Sequence, residues 1–475
     1  MMMHNLKWIT VIFPWLLSGC LSLEPHYQRP TVPVEKAWPQ GAGYLTPEKN
    51  MPAASEVPWR QVIADEKLRQ VIELALNDNR DLRKAVSDVE AARAQYGIQR
   101  AAQRPTVNAG GEGSRGRALS ATSPGSANNT QISQTYSASV SSSSFELDLF
   151  GRVHSLTQAA LESYLSTQEA EKSVRLTLIA DTTTAYIALA KARSDLVLSQ
   201  HTLQSAQASL DVTRQRQRNG VASGVDVAQA ETVYQQARAD VASNTTSSAQ
   251  YLNALNLLVG QTVQEVLLPE NLASLQYAIA PVAAGVDSST LLQRPDVQEA
   301  EHNLKSANAN IGAARAAFFP KVTLTGSGGV SSTALSSLFS GGAGVWSFAP
   351  GISLPLFDGG ANQASLDYAK AQKQGYIASY EKAIQSAFKE VADALARKGT
   401  IDEELAAQRD YVAAAERSYR LAERRYREGV DTYLNLLEGQ RTLYSAQQGL
   451  ITLEQTRLDN LVTLYNALGG GVSLL

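Results

Sequence analysis

The residues able to do chemistry in this sequence are few and lie far apart. Five histidines occur, and none of them belongs to an H-E-x-x-H pattern that would bind zinc. They are His4, His26, His154, His201 and His302. The sequence also lacks the G-x-S-x-G motif of serine hydrolases and the P-loop of nucleotide-binding enzymes. We therefore predict that the chain is not an enzyme and that it holds no cofactor and no metal.

Two glycine-rich stretches, residues 110–116 and 326–329, superficially suggest phosphate binding. A phosphate-binding loop ends in Lys followed by Ser or Thr, and neither stretch has that ending. Both stretches also lie within segments whose residues alternate as in strands. We therefore interpret these glycines as strand residues.

One residue does have a recognisable chemical role, and it is the single cysteine, Cys20. It closes the sequence Leu17-Ser18-Gly19-Cys20, which follows the apolar run Trp8–Leu17 and the basic Lys7. This arrangement is typical of a lipoprotein signal peptide. We predict a signal peptide over residues 1–19 and lipidation of Cys20. The alternative is an ordinary signal peptide with a chance cysteine; Leu21, in place of Asp, favours retention in the outer membrane.

Composition narrows the class of protein further. The 475 residues carry a net charge of -3, so there is no basic excess that would indicate a nucleic-acid partner. Beyond the N-terminus no run of 18 apolar residues occurs, so no transmembrane helix is expected in the mature chain. Residues 20–60 are rich in proline, which predicts an extended, acylated arm rather than a packed domain.

The longest predicted element is a helix that begins after Gly151 and runs to Arg218. This stretch has no proline and no further glycine, and at 1.5 Å per residue it would be roughly 100 Å long. Leucines recur in it with a heptad spacing, at Leu189, Leu196, Leu203 and Leu210. Asn219-Gly220 ends it, and a return helix follows as far as Gly260. The sequence thus predicts a long helical hairpin over residues 151–260.

The second half of the chain repeats the first. Residues 79–113 align with residues 294–328, and Gly220 and Gly260 correspond to Gly429 and Gly469. We predict a first repeat over 61–260, a linker or equatorial segment over 261–290, and a second repeat over 291–475. The second repeat would contain a helical hairpin over 361–468 and a C-terminal equatorial segment. Ahead of the long helices, each repeat should begin with helices, the first of them running from about Val62 to Asn77.

Each repeat also contains a predicted β-hairpin, at about residues 105–149 and 320–357, where apolar residues alternate with polar ones. Four strands cannot close a barrel, and an open strand edge is not tolerated in lipid. The chain must therefore oligomerise, and the glycine-rich and serine-rich strands favour a trimer of twelve strands around a lumen over a dimer of eight. The residues thus predict an α+β membrane protein with an internal repeat, in which four strands per chain form a trimeric 12-stranded β-barrel beside long helical hairpins.

Several motifs, taken in order, resemble one family. They are Leu17–Cys20, Phe145–Arg152, Arg294–Asp296, Phe318–Val322 and Tyr426–Gly429. Together they are similar to the outer-membrane factor family of tripartite efflux pumps, the TolC-like channels, and within it to the OprM-type (NodT) lipoprotein branch. The resemblance covers essentially the whole mature chain.

The resemblance implies a homotrimeric channel in the outer membrane of the cell, lipid-anchored and extending into the periplasm. In the implied fold class, the trimeric 12-stranded β-barrel is continued by a long periplasmic α-helical coiled-coil barrel. It implies two partners, a periplasmic membrane-fusion adaptor and an inner-membrane drug transporter of the RND or MFS type. The implied function is multidrug efflux, with antibiotic resistance as its consequence. Two alternatives remain open at this stage: an export channel of a type I secretion-like system, and a coiled-coil lipoprotein spacer without a pore.

The resemblance also implies a gate at the periplasmic ends of the helical hairpins. The family's gate positions fall on Tyr426, Arg427, Leu434, Glu438 and Arg441. Asp226, near the start of the other return helix, is a candidate carboxylate partner for the two arginines. The turns themselves are the expected adaptor-docking tips; they hold Gly220, Val221, Gly429 and Val430. The simpler alternative is that these residues are solvated charges and core residues of ordinary hairpins.

Overall fold

The computed structural model describes residues 22–41, 43–44, 54, 57–119, 130–283 and 287–471. The predicted signal peptide and Cys20 lie outside these residues, so lipidation stays a prediction. Among the described residues, none of the helices combines the length and apolar character needed to cross a bilayer.

Long helices account for most of the chain. In order, the helices are α1 (Trp59–Val62), α2 (Glu66–Asp78), α3 (Arg80–Ala101), α4 (Arg152–Arg218), α5 (Gly224–Val259), α6 (Pro295–Ala316), α7 (Ala361–Arg427) and α8 (Tyr433–Ala467). The strands are β1 (Asn108–Leu119), β2 (Thr130–Leu147), β3 (Lys321–Ser332) and β4 (Gly344–Ser353). Helices α4 and α7 have 67 residues each, so each is about 100 Å long.

The chain divides into two compact units, and each unit takes elements from both sequence repeats. The first unit contains residues up to Pro30 together with Glu90–Ser166 and Glu301–Ser379. The second contains Thr31–Val89, Thr167–Ala300 and Tyr380–Leu475.

The first unit contains one sheet of four antiparallel strands in the order β1-β2-β3-β4. The strands of the two repeats meet at its centre, where Val140 of β2 is opposite Gly328 of β3. Close pairing there requires glycine, because a Cβ on Gly329 would lie 2.2 Å from the carbonyl oxygen of Ala138. The predicted four antiparallel strands per chain are therefore confirmed.

Strand β4 carries a row of exposed apolar side chains, since Trp346, Phe348 and Ile352 are 82%, 62% and 76% exposed. They are spaced by even numbers of residues and so share one face of the sheet. The strand ends at Ser353, four residues before the predicted end near residue 357. Ser353 is paired with Lys321, the first residue of β3, so the chain beyond it has no partner strand.

The motif Phe145–Arg152 makes the connection from β2 to α4. The guanidinium of Arg152 donates to both carboxylate oxygens of Glu146, at 2.7 and 2.6 Å. Asp148 accepts a hydrogen bond at 2.6 Å from the backbone N–H of His154, one of the N–H groups that a helix leaves free in its first turn. The motif therefore fixes where α4 begins.

The described part of the N-terminal arm in this unit lies along α6. Arg315 donates to the carbonyl oxygen of Leu23 at 3.1 Å, and Arg29 donates to Glu301 at 2.8 Å. The extended chain from Leu23 to Arg29 covers about 20 Å, and the helix from Glu301 to Arg315 covers about 21 Å. The arm is thus extended, and its length matches the helix segment to which it is bound.

In the second unit, the predicted single helix from Val62 to Asn77 is wrong at its start. Ile63 instead forms a β-bridge with Ile279, which draws the backbone out of helical geometry. Asp65 then caps α2 by accepting a hydrogen bond from the N–H of Leu68 at 2.7 Å. The helix that follows buries its apolar face completely.

The return helices of the two repeats end in corresponding joints. The side chain of Asn79 donates to the carbonyl oxygen of Leu258 at 2.8 Å, and that of Arg294 donates to the carbonyl oxygen of Ala467. Asn79 and Arg294 are the first residues of the two aligned segments. Each joint satisfies a carbonyl group that the end of a helix would otherwise leave unpaired.

Gly260 permits the first of these joints. Its φ is +80°, and a Cβ there would lie 2.4 Å from the carbonyl oxygen of Asp78. We expect Gly260→Ala to destabilise the protein by about 2 kcal/mol or more, since left-handed strain adds to the clash. Gly97→Ala in α3 is the control, because a Cβ there meets nothing within 4 Å. Thermal unfolding of both variants decides the point; equal melting temperatures would contradict this account.

Asp459 of α8 gives a pH-dependent prediction. Burial raises its pKa to about 6, and one of its carboxylate oxygens has no hydrogen-bond partner. The folded protein thus favours the protonated acid, so the contribution of Asp459 to stability is greatest below pH 4 and is lost as pH rises to about 6. Asp459→Asn should remove this dependence and stabilise the protein at pH 7 by about 1–2 kcal/mol, a value discounted for partial solvation. Melting temperatures between pH 4 and 7 test it; parallel curves for both proteins would refute it.

Candidate functional site

The candidate site lies where the two helical hairpins turn, at residues 219–223 and 428–432 of the second unit. In the first turn Gly220 adopts a φ of +75°. The backbone N–H of Val221 then donates to the carbonyl oxygen of Arg216 at 2.9 Å. Ser223 and Asp226 cap α5 reciprocally, because each side chain accepts a hydrogen bond from the other's backbone N–H.

The second turn has the same glycine geometry but different polar contacts. Gly429 has a φ of +79°, and Arg425 donates to Asp431 at 3.0 Å. Asp431 also accepts hydrogen bonds from the backbone of Thr432 and from the side chain of Asn435. The Arg425 contact, followed by these hydrogen bonds, holds the pKa of Asp431 below its usual range. The turn is therefore closed by contacts within its own hairpin.

A set of contacts from Arg216 and Thr213 to Tyr426 joins the two hairpins, and we call these three residues the clasp. The guanidinium of Arg216 lies over the ring of Tyr426, 4.6 Å from its centre. It also donates to the carbonyl oxygens of Tyr426 and Arg427, the last residues of α7. The hydroxyl groups of Thr213 and Tyr426 are 3.1 Å apart. One hairpin thus caps the end of a helix in the other.

Apolar packing supports the clasp. Tyr426 is 5% exposed and meets Tyr433 edge-on, with ring centres 5.5 Å apart. A buried cluster contains both tyrosines together with Leu210, Ala230, Leu436 and Leu437, so all four hairpin helices contribute to it. Burial raises the pKa of Tyr433, so its hydroxyl stays protonated. The polar contacts of the clasp are therefore made beside a buried apolar cluster.

The six gate positions predicted from the sequence differ in burial and in their contact partners. Tyr426 is buried in the clasp, whereas Arg427 is exposed and pairs with Glu423 of its own helix at 3.0 Å. Leu434 is 51% exposed. Within the part of the chain that the structure describes, Glu438 and Arg441 are exposed and form no ion pair.

Asp226 is engaged locally in the protomer. Its carboxylate accepts from the N–H and the hydroxyl of Ser223, at 2.8 and 2.9 Å. Pairing of Asp226 with Arg427 or Arg441 is therefore absent within the protomer and stays a prediction for contacts between protomers. The four tip positions occupy the turns, where Val221 and Val430 are 63% and 66% exposed.

Sequence reasoning missed Arg216 and Thr213. Their partner, Tyr426, lies more than 200 residues away in the chain, and no local pattern indicates that contact. One available signal was the repeat itself. It places Arg216 opposite Arg425, so that each long helix has an arginine in its last turn. Separately, the described residues contain no cluster of three or more His, Cys, Asp or Glu side chains that could hold a metal ion.

Comparison with known proteins identifies the family. Residues 71–261 and 286–470 match the family described as Outer membrane efflux protein. The antibiotic efflux pump outer membrane protein ArpC of Pseudomonas putida is 47% identical over 96% of this chain and 94% of its own length. The toluene efflux pump outer membrane protein TtgC of the same species is 46% identical over the same shares.

Solved structures agree. The MtrE outer membrane channel of Neisseria gonorrhoeae, in its open state, has a TM-score of 0.83 and is 37% identical. That match covers 95% of this chain and 98% of MtrE. It confirms the predicted fold class, in which each chain of a trimer contributes four strands to one barrel. The chain therefore belongs to the outer membrane efflux protein family and is an outer membrane efflux channel.

Proposed function

We propose that the channel carries antibiotics and other small toxic organic compounds out of the cell, and that its hairpin ends form the gate. Support for the cargo comes from relatives named for antibiotic and toluene efflux. Those names favour small compounds over the secreted peptides or proteins of a type I secretion-like system. The family assignment removes the spacer without a pore from consideration.

The proposed assembly is a homotrimer that works with a periplasmic adaptor and an inner-membrane transporter of the RND or MFS type. The transporter would supply the energy, because the chain shows no motif for nucleotide binding. We place the adaptor contact at the exposed tips Val221 and Val430 with their glycines, Gly220 and Gly429. Lipidation of Cys20 would anchor the assembly in the outer membrane.

The clasp is the observation that carries the gate proposal. A cation–π contact contributes about 0.5–2 kcal/mol, and a hydrogen bond from a charged donor about 1.5–3 kcal/mol. Reversing a two-state equilibrium from 1:99 to 99:1 takes about 5.5 kcal/mol. If opening breaks all three clasps, one in each protomer, their summed free energy exceeds this value. An adaptor bound at the turns, a few residues from the clasp, would act against these contacts.

The exposed gate positions suit contacts between protomers. Arg441 and Glu438 have no ionic partner within the described part of the protomer, and Arg427 pairs only with a half-exposed glutamate. Asp226 offers a carboxylate to a neighbouring arginine, and Leu434 offers an apolar side chain for a constriction. We assign these residues to the seam between protomers and the clasp to the seam within each one.

Hydrogen exchange tests the clasp directly. Arg216→Ala removes the cap of α7, so amides in residues 420–430 should exchange about tenfold faster, which corresponds to about 1.4 kcal/mol. The matched control is Arg214→Ala, which removes an exposed ion pair with Glu231 at 3.3 Å and should have little effect. If mass spectrometry shows the same exchange in both variants, the clasp does not hold the hairpins together.

Single-channel recording tests the gate. The wild-type trimer in a planar bilayer should give small, flickering currents, whereas Arg216→Ala/Tyr426→Phe should give a severalfold larger conductance. Arg441→Ala, tested separately, reports on the seam between protomers, and Arg214→Ala is the control. Large wild-type currents equal to those of the double variant would contradict a clasp-held gate. Unchanged currents in Arg441→Ala would remove Arg441 from it.

A further inference from the structure

The four-stranded sheet has one apolar face and one polar face. Residues directly opposite each other on neighbouring strands share a face, so the pairing assigns the strand residues to the two faces. The apolar face includes Val140, Leu147, Val322, Leu324, Trp346 and Ile352. The other face holds mainly serine, threonine and glycine. In an outer-membrane barrel the apolar face meets lipid and the polar face lines the lumen.

Two arginines of β1, Arg115 and Arg117, lie on the apolar face, where they are opposite Gln134 and Ile132 of β2. The other charged residues of the strands lie on the polar face; they are Glu112, Glu146 and Lys321. Both arginines are exposed. Arg115 has no ion pair within the part of the chain that the structure describes. A charge on a lipid-facing surface is costly at the centre of the bilayer and tolerated near its interfaces, so the depth of these two residues matters.

Their position along the strands places the arginines at the outer headgroup level. The periplasmic helices join the sheet at the end where Leu147 of β2 pairs with Val322 of β3. Ser332 lies ten residues further along β3 and pairs with Tyr136. At about 3.3 Å per residue and a strand tilt of about 40°, that distance rises about 25 Å, which is the height of the apolar band of such a barrel. Tyr136 therefore lies at the outer edge of the band, and Arg115 lies about 5 Å beyond it.

The two arginines are spaced to share one phosphate group. They are two residues apart on one face, so their Cα atoms are separated by about 6.6 Å. A guanidinium group donates paired hydrogen bonds to the oxygens of a phosphate. Next to Arg115 on this face is Gly113, and a Cβ there would lie 3.3 Å from the ring of Tyr136. The ring thus covers the strand directly below the arginines and gives the site an apolar side toward the membrane.

We infer that Arg115 and Arg117 bind a phosphate group of lipid A, the anchor of lipopolysaccharide in the outer leaflet. The sugar phosphate meets the two guanidinium groups, and the acyl chains lie against Tyr136 and the apolar face below it. Among the described strands, β2 before Tyr136 is paired with β1 alone. The lipid therefore supports a part of the hairpin that β3 does not reach. This inference depends on the outer-membrane location of the channel and is independent of its proposed cargo and gate.

Native mass spectrometry of the full trimer tests the site, because it counts the lipids that remain bound to each assembly. Lipid A should bind the wild-type trimer in up to three copies, one for each protomer. It should bind at least tenfold more tightly than lipid A from which the phosphates have been removed. Equal binding of the two lipids would overturn the phosphate site, and this comparison requires no variant.

A pair of double variants identifies the residues. Arg115→Gln/Arg117→Gln should weaken the binding of lipid A at least tenfold. The matched control is Arg100→Gln/Arg104→Gln, which removes the same charge from exposed positions that precede β1 and should bind lipid A as the wild type does. The same spectra show whether each variant forms trimers. Equal affinity of the two double variants would overturn the assignment to Arg115 and Arg117.

Two competitors establish the source of the phosphate. Excess inorganic phosphate should leave lipid A bound, because it lacks the acyl chains that contact the apolar face. Phosphatidylglycerol, an anionic lipid with a single phosphodiester, should bind at least severalfold more weakly than lipid A. Displacement by inorganic phosphate would show a site for free anions, and equal binding of phosphatidylglycerol would show a general preference for anionic lipid. Either result would overturn the assignment to lipid A.

Discussion

The structure depends on how the carbonyl groups at the ends of its helices are satisfied. A helix leaves its last carbonyls without partners, and three of the long helices receive donors from elsewhere in the chain. Asn79 serves the end of α5, Arg294 serves the end of α8, and Arg216 serves the end of α7. Among the described residues, α4 receives no such distant donor, and the backbone of its own turn satisfies its last carbonyls. These donors determine which helix ends meet, and so they position the hairpins that form the proposed gate.

Duplication supplied these donors, and divergence gave them different partners. Arg216 and Arg425 occupy corresponding places in the two repeats, yet Arg425 pairs with Asp431 in its own turn while Arg216 reaches the other hairpin. In the proposed trimer, hairpins of the two kinds alternate around the channel. Only one of the two kinds of seam then has a clasp. The other seam would then be closed by exposed groups such as Arg441 and Glu438. Because different residues hold the two kinds of seam, substitutions can weaken one without affecting the other.

Much of the fold could be predicted because its signals are local. The absence of proline and glycine after Gly151, and the stop at Asn219-Gly220, gave the bounds of α4 to within a residue. The start of α2 was missed because Ile63 pairs with Ile279, and the end of β4 because its partner begins at Lys321. The clasp was missed for the same reason: its partners come from distant segments. Contacts that the sequence does not pair locally are the ones that only the three-dimensional structure supplies.

The same caps differ in burial, and that difference favours the hairpin ends as the moving part. Asn79 and Arg294 are 4% and 8% exposed, and their joints lie within the core of the second unit. The turns are exposed, and the clasp with the buried cluster beside it holds the hairpin ends together. Regions with few buried contacts open at lower free energy than the core. In the proposed gate, the hairpins would separate at their exposed ends while the joints at α5 and α8 stay closed, so opening would not require unfolding the channel.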